Sequence, residues 1–349
     1  MIEHRIHTEE CQTAELHDQI PGGRDGLLSP VRIGDCRVEW PVMLAPMAGV
    51  SDLAFRILCR RQGVGLVCTE MVSAKAIYYK NRGTAELMAS VPEERPLMLQ
   101  LFGSEPELMA AMAAQVEEGP WDIIDVNMGC PVPKVVKNGD GSALLQDPHR
   151  IEAIVSAMAK AVKKPVTVKI RKGFGLEEEC AVEAAKAAES GGAAAITVHG
   201  RTREQYYSGR ADWSAIRRVK EAVQIPVFGN GDITSAQDAE RMIRETGVDG
   251  IAIGRAAKGN PWLFAEIRDY LQAGVISPRP TGGEVGEMIL EHLALELSYK
   301  PEQVAVREMR KHVAWYTAGL PGSAALRRQV NEIETAAALE EMIRTQIHS

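Results

Sequence analysis

The sequence predicts a (β/α)8 barrel, the TIM-barrel class, followed by a small helical-bundle domain, and three observations lead there. Eight short β-rich apolar runs recur between longer Ala-, Glu- and Lys-rich stretches with helical periodicity. Several of these runs are almost continuously hydrophobic, as expected of parallel strands covered on both faces. After Tyr270 the pattern changes to helical sequence with few β-branched residues.

The eight predicted strands are Pro41–Ala45, Gly65–Thr69, Leu97–Leu101, Ile123–Asn127, Val166–Ile170, Ala194–His199, Pro226–Gly229 and Gly250–Gly254. Clear helical stretches between them are Asp52–Gln62, Pro106–Glu118, Pro148–Val162, Leu176–Ser190, Trp213–Val223 and Ser235–Glu245. Closure into a barrel removes exposed edges. An open doubly wound sheet is the alternative, but no G-x-G-x-x-G follows an early strand. Gln272–Gly283 carries two prolines and three glycines and reads as a linker. Beyond it, Glu284–Tyr299, Pro301–Ala318 and Ser323–Ile347 each suit an amphipathic helix. The predicted organisation is an extension over 1–30, a barrel over 31–272 and a helical domain over 283–349.

Composition sets outer bounds. A length of 349 residues exceeds the roughly 250 that such a barrel needs, leaving room for a second unit. With 45% apolar and 25% charged residues, a disordered, collagen-like or coiled-coil chain is ruled out. Aromatics make up 5%, sparse for a protein that coats single strands by stacking. The net charge of −7 neither requires nor excludes an RNA partner, because basic residues gathered in one patch suffice. Six acidic and two basic residues fall in the first thirty, which lack the apolar region of a secretory signal. No apolar run reaches the roughly 18 residues of a membrane span, so a soluble, cytoplasmic protein with no membrane partner is expected. The six cysteines show neither a C-x-x-C pair nor zinc-like spacing; reduced thiols and no metal site follow.

In a barrel of this kind chemistry gathers at the C-terminal ends of the strands. Those ends are polar and glycine-rich here: Ala45-Pro46-Met47-Ala48-Gly49, Gln100-Leu101-Phe102-Gly103, Asn127-Met128-Gly129-Cys130-Pro131, Lys169-Ile170-Arg171, His199-Gly200-Arg201-Thr202-Arg203, Asn230-Gly231-Asp232 and Gly254-Arg255. The last two clusters suit a phosphate, since glycines let backbone N–H groups approach an anion, although tight turns alone would also use them. Lys169, between Val168 and Ile170, points either to a structural carboxylate or into the barrel mouth as a fixed cation. His199 is either a satisfied core histidine or a donor to a cofactor. Cys130 sits in a Gly-Cys-Pro turn, a poor place for a packing cysteine and a suitable one for proton transfer.

Together these motifs, in this order, resemble the FMN-dependent tRNA-dihydrouridine synthase family, and in particular its bacterial B branch, over about residues 31–349. Further support comes from Arg307-Glu308-Met309-Arg310-Lys311-His312 followed by Gly319-Leu320-Pro321-Gly322, which is similar to the family's helical RNA-binding domain. The resemblance implies that NADPH, with NADH as the alternative, reduces FMN, and that hydride then passes to a uracil in tRNA while Cys130 protonates the opposite carbon. Pro46, Met47 and Ala48 would pack the isoalloxazine, Gln100 would hydrogen-bond it, and Lys169 would favour negative charge on it. His199, Asn230, Gly231, Asp232, Gly254 and Arg255 would hold the ribityl phosphate. Asn127, Arg171, Arg201 and Arg203 would meet the substrate. Lys134, Lys137, Arg307, Arg310, Lys311, Arg327 and Arg328 are further candidates for tRNA phosphates. A monomer is expected. The competing readings are a dihydroorotate-dehydrogenase-like FMN enzyme acting on a free pyrimidine and a non-catalytic tRNA-binding protein.

Overall fold

The computed structural model describes residues 26–347 apart from Arg82; most of the predicted extension lies outside the described residues. A short antiparallel hairpin comes first, β1 (Val31–Ile33) and β2 (Cys36–Val38). The barrel strands are β3 (Val42–Leu44), β4 (Leu66–Cys68), β6 (Leu97–Phe102), β7 (Ile123–Met128), β8 (Val166–Gly173), β9 (Ala195–Thr202), β10 (Val227–Asn230) and β11 (Gly250–Ile253). A two-residue strand, β5 (Val72–Ser73), extends the path of β4 and pairs with the end of β6. All barrel pairings are parallel, and β4 pairs with both β3 and β6, which closes the circle. Each of the eight predicted strands is present, with ends differing by up to three residues.

Side-chain alternation divides the barrel interior into two ends. At the bottom, Met43, Leu66, Met98, Ile123, Phe228 and Ala252 form an apolar layer with Val31, Ile33 and Val38 of the hairpin, so the hairpin closes the floor. Higher up, Gln100, Asp125 and Thr167 face one another across adjacent strands in register, and the interior becomes polar. The outward residues of the strands pack on the surrounding helices in the main core.

Several elements differ from the sequence reading, which also passed over β5 and the short helices Ala74–Tyr78, Gly83–Leu87 and Pro133–Val136. The hairpin strands are three residues each, too short for a periodicity signal, and helix Leu263–Ala273 directly precedes the linker. Leu176–Cys180 is not helical: Cys180 N–H donates to Lys172 O, and the Glu178 carboxylate accepts from Gly175 N–H, folding this stretch back on the end of β8. The helix there starts at Ala181. The predicted last helix is two, Ser323–Val330 and Ala336–Gln346, because Thr335 starts a new turn by accepting from Ala338 N–H. The C-terminal region therefore holds four helices, these two with Gly282–Tyr299 and Glu302–Tyr316.

Those four helices have their own apolar cluster, and it includes Leu58 from the first barrel helix. Beside it lies a buried polar junction. Lys300 donates to Asp52 at 3.2 Å and Glu308 at 2.7 Å and pairs with Glu296 at 2.8 Å. Asp52 also caps the first barrel helix by accepting from Phe55 N–H. His292, with Asp52 and Glu296, completes a group whose ligand atoms lie within 4.8 Å of one another, and the Lys300 ammonium supplies the cation among these carboxylates. The helical region is thus tied directly to the loop after β3.

Candidate active site

A cavity of about 790 Å3 opens at the C-terminal ends of the strands. Volumes of this size hold cofactor-sized ligands. Every barrel strand or the segment just beyond it contributes to the lining, from Ala45–Ala48 after β3 to Gly254–Ala256 after β11. Of the predicted site residues, Pro46, Met47, Ala48, Gln100, Asn127, Cys130, Lys169, Arg171, His199, Arg201, Asn230, Gly231, Asp232, Gly254 and Arg255 all line it. Arg203 does not: its guanidinium lies over the Phe174 ring, 5.1 Å from the centroid, and 3.9 Å from Glu204.

The turn after β7 is fixed from both sides. Asn127 Oδ1 accepts from Gly129 and Cys130 N–H at 3.1 and 2.8 Å, and Cys130 O accepts from Ser142 N–H and Oγ–H. Gly141, at φ +61°, packs so close that a Cβ there would lie 2.9 Å from Cys130 O and 3.0 Å from its Cβ. Arg171 clamps the same turn by donating to Gly129 O, and reaches across to Thr202 O and Tyr206 O. Burial raises the Cys130 thiol above its ordinary 9.0, against the lowering effect of Arg171 and Lys169. The thiol keeps its proton at neutral pH.

On the floor, Gln100 Nε2 donates to Asp125 and its Oε1 accepts from Asn127 Nδ2 at 2.8 Å. Asp125 also accepts from Thr167 Oγ1 at 2.6 Å, and burial raises its pKa. Sequence reading missed Asp125; its signal was a carboxylate two residues before Asn127, hence on the same face of β7. Lys169 reaches Asn230 Oδ1 at 3.3 Å, and among the described residues no carboxylate lies within ion-pair distance of it. Burial, then Arg171, lowers its pKa to about 8. Lys169 thus lines the mouth of the cavity without an ion-pair carboxylate among the described residues.

At the far wall, burial and then the cations Lys169, Arg171, Arg201 and Arg255 hold the His199 pKa well below its usual value, so its imidazole is neutral. Arg201 is buried and donates to both Asp232 oxygens at 2.8 Å and to Ser208 and Gly209 carbonyls. The Asp232 carboxylate is thereby committed within the protein. Gly231, at φ +119°, leaves no room for a Cβ, which would lie 2.9 Å from His199 Cδ2. A Cβ at Gly254 would meet nothing nearer than Met47 Sδ at 3.7 Å, so its backbone borders open space. Tyr206, Tyr207, Met71 and Lys258 also line the cavity and were not anticipated; Arg255 lies over the Tyr207 ring at 4.5 Å.

A positive wall, glycine borders and a protonated thiol thus share one cavity. Comparison with known proteins decides the affiliation: the sequence model of the dihydrouridine synthase family matches residues 43–349. The chain belongs to the dihydrouridine synthase family. It is accordingly an enzyme of a family of flavin-dependent oxidoreductases. Relatives in this family include tRNA-dihydrouridine synthase B of Pseudomonas aeruginosa, 44% identical over 307 residues, covering 88% of this chain and 92% of the relative. The probable tRNA-dihydrouridine synthase of Rickettsia conorii is 43% identical over 314 residues, covering 90% and 95%. Among solved structures, histamine dehydrogenase from a Rhizobium species aligns with a TM-score of 0.55 at 15% identity, over 78% of this chain and 51% of that chain. At this identity the likeness is one of fold. None of the helices among the described residues is long and apolar enough to cross a membrane.

Proposed function

We propose that this enzyme reduces specific uridines in tRNA to dihydrouridine, with FMN as cofactor and Cys130 as the proton donor. The observation that carries the reading is the Cys130 thiol, held at the cavity wall by Asn127 and Ser142 in its protonated state. A proton donor must hold its proton until the substrate takes it.

The residues present fit FMN. Among the described residues Lys169 is a cation with no carboxylate partner, Gly231 and Gly254 both border the cavity with open space beside the Gly254 backbone, and the volume is adequate. When bound, FMN supplies the hydride for the uracil ring and is recharged by NADPH, with NADH the alternative. Pro46, Met47 and Ala48 would bound its ring system, with Gln100 beneath. Lys169 favours negative charge in a site sheltered from water. His199, Asn230, Gly231, Asp232, Gly254 and Arg255 would hold the phosphate end; Asp232 does so through its position, since its carboxylate pairs with Arg201. Asn127 and Arg171 act on the substrate by orienting the Cys130 turn, and Arg201 by holding the loop over the mouth. We assign Arg203 no contact within the cavity.

Residues 283–349 act as the tRNA-binding domain, using exposed Arg307, Arg327 and Arg328 rather than Arg310, which donates to Ile333 O. Lys134 and Lys137, both exposed beside the catalytic turn, serve the same end. The protein works in the cytoplasm as a monomer in this reading. Two measurements test it. Mass mapping of tRNA from cells lacking the protein should show dihydrouridine missing at defined positions. The purified protein should be yellow, and unmodified tRNA should speed its NADPH oxidation; equal stimulation by free uracil or dihydroorotate would reject the tRNA assignment in favour of a free-pyrimidine enzyme.

A further inference from the structure

Four of the seven tyrosines are exposed, and they form two adjacent pairs. Tyr78 and Tyr79 are 58% and 76% exposed, Tyr206 and Tyr207 41% and 47%. Within each pair the rings meet edge to face, with centroids 5.1 and 5.0 Å apart. Aromatic rings left in water side by side mark a contact surface, because an isolated fold gains nothing from exposing them.

Topology places the pairs opposite each other. Strand β5 pairs with the last residues of β6, Val72 beside Leu101 and Ser73 beside Phe102, so helix Ala74–Tyr78 begins at the rim of the mouth. Ser73 Oγ caps that helix by accepting from Ala76 N–H, and buried Ile77 anchors it. Tyr206 and Tyr207 belong to the loop after β9. Going round the closed barrel, β4 and β9 are four strands apart in a circle of eight. The two aromatic pairs therefore belong to opposite sides of the barrel, Tyr206 and Tyr207 lining the cavity itself.

Charge supplies the second observation. Between Glu70 and Glu86 the chain carries Lys75, Lys80 and Arg82 and no acidic residue. Lys75 and Lys80 are exposed, and among the described residues no carboxylate lies within ion-pair distance of either. Elsewhere on this acidic protein exposed cations such as Arg217, Arg218 and Arg241 are paired. Unpaired ammonium groups beside exposed rings suit a polyanion that carries unstacked bases.

We infer that Tyr78 and Tyr79, with Lys75 and Lys80, form a tRNA-docking platform that stacks an unpaired nucleotide flanking the uridine delivered to the cavity. The inference rests on the tRNA-substrate reading above and adds a contact on the rim opposite Tyr206 and Tyr207. Extruding a uridine leaves its neighbours without a stacking partner. A tyrosine face replaces that partner, and the lysines hold the adjoining phosphates.

The test is fluorescence anisotropy of the holoenzyme with an unmodified tRNA transcript. Tyr78→Ala with Tyr79→Ala should raise Kd about tenfold or more, the scale of a lost base stack. Replacing both by Phe should leave Kd within about twofold, since the ring faces remain. Lys75→Ala with Lys80→Ala should flatten the salt dependence of binding by about one unit of slope per lysine. NADPH oxidation without tRNA should be the same in all variants, which reports an intact cavity. A wild-type Kd in the double alanine variant overturns the platform. So does unchanged tRNA affinity combined with a wild-type dimer that the alanine variant cannot form, which would assign the pair to a second copy. Wild-type holoenzyme that binds no tRNA would overturn the substrate reading along with the platform.

Discussion

The side-chain oxygen of Asn127 lies 2.8 Å from the backbone nitrogen of Cys130, and the same oxygen accepts from Gly129. Its amide nitrogen meanwhile donates to Gln100 on the neighbouring strand. One side chain thus ties the thiol's turn to the barrel floor. Asn127→Ala removes both attachments at once. Dihydrouridine formation should fall about 100-fold through misplacement of the donor, with little change in KM for tRNA. Single-turnover assays on unmodified tRNA measure this.

Gly141 tests the same geometry from the other side. At φ +61° a side chain is already strained, and a Cβ would press on the carbonyl and Cβ of Cys130. Gly141→Ala should cost at least about 1 kcal/mol of stability and displace the thiol. Thermal unfolding and single-turnover rates should both decline, in contrast to an alanine at Gly247, where a Cβ meets nothing and only the unfolding temperature should drop.

The raised Cys130 pKa has a pH signature. Alkylation by iodoacetamide requires the thiolate, so its rate at this residue should be low at pH 7 and climb through a midpoint above 9.0. Proton donation has the opposite dependence, and turnover should hold steady at neutral pH and fall over the range where alkylation rises. A midpoint below 8 in mass-resolved labelling would contradict the burial argument.

Lys169 predicts a conflict between stability and binding. Its folded pKa of about 8 lies below the ordinary 10.5, so between these values the unfolded chain holds a proton that the folded chain lacks. Its contribution therefore favours folding more as pH rises through that window, and its charge is a burden below it. Lys169→Met should raise the unfolding temperature of the apo-protein by a few degrees while weakening FMN affinity at least about tenfold. Calorimetry and flavin titration on the same preparation check both halves.

At the buried junction, Lys300 balances Asp52, Glu296 and Glu308. Lys300→Met leaves those carboxylates without their cation, a loss of about 3–5 kcal/mol. Denaturant unfolding should register it.

Much of this was legible from residue pattern. The eight strands announced themselves as apolar runs, and fifteen of the sixteen named site residues line one cavity because parallel strands deliver their C-terminal ends to one rim. Arg203 fell outside because it follows the end of β9, where the chain turns away and its side chain rests on Phe174. Asp125 was passed over as part of an apolar strand, since nothing in β7 alone reveals that Gln100 and Thr167 from its neighbours will satisfy it. The Lys300 junction was invisible for a stronger reason: Asp52 lies 248 positions away in sequence, and only closure of the barrel against the terminal helices brings them together. The aromatic pairs were plain as Tyr-Tyr in the sequence, but their placement on opposite sides of the barrel is a property of strand order.

Val31, Ile33 and Val38 seal one end of the cylinder, which among the described residues leaves one doorway at the other. Any two visitors to the flavin, one bringing electrons and one receiving them, must then pass through that doorway in turn, and the first has to depart before the second can settle. On the function proposed above, the reductant and the RNA would compete for that opening before any affinity is considered.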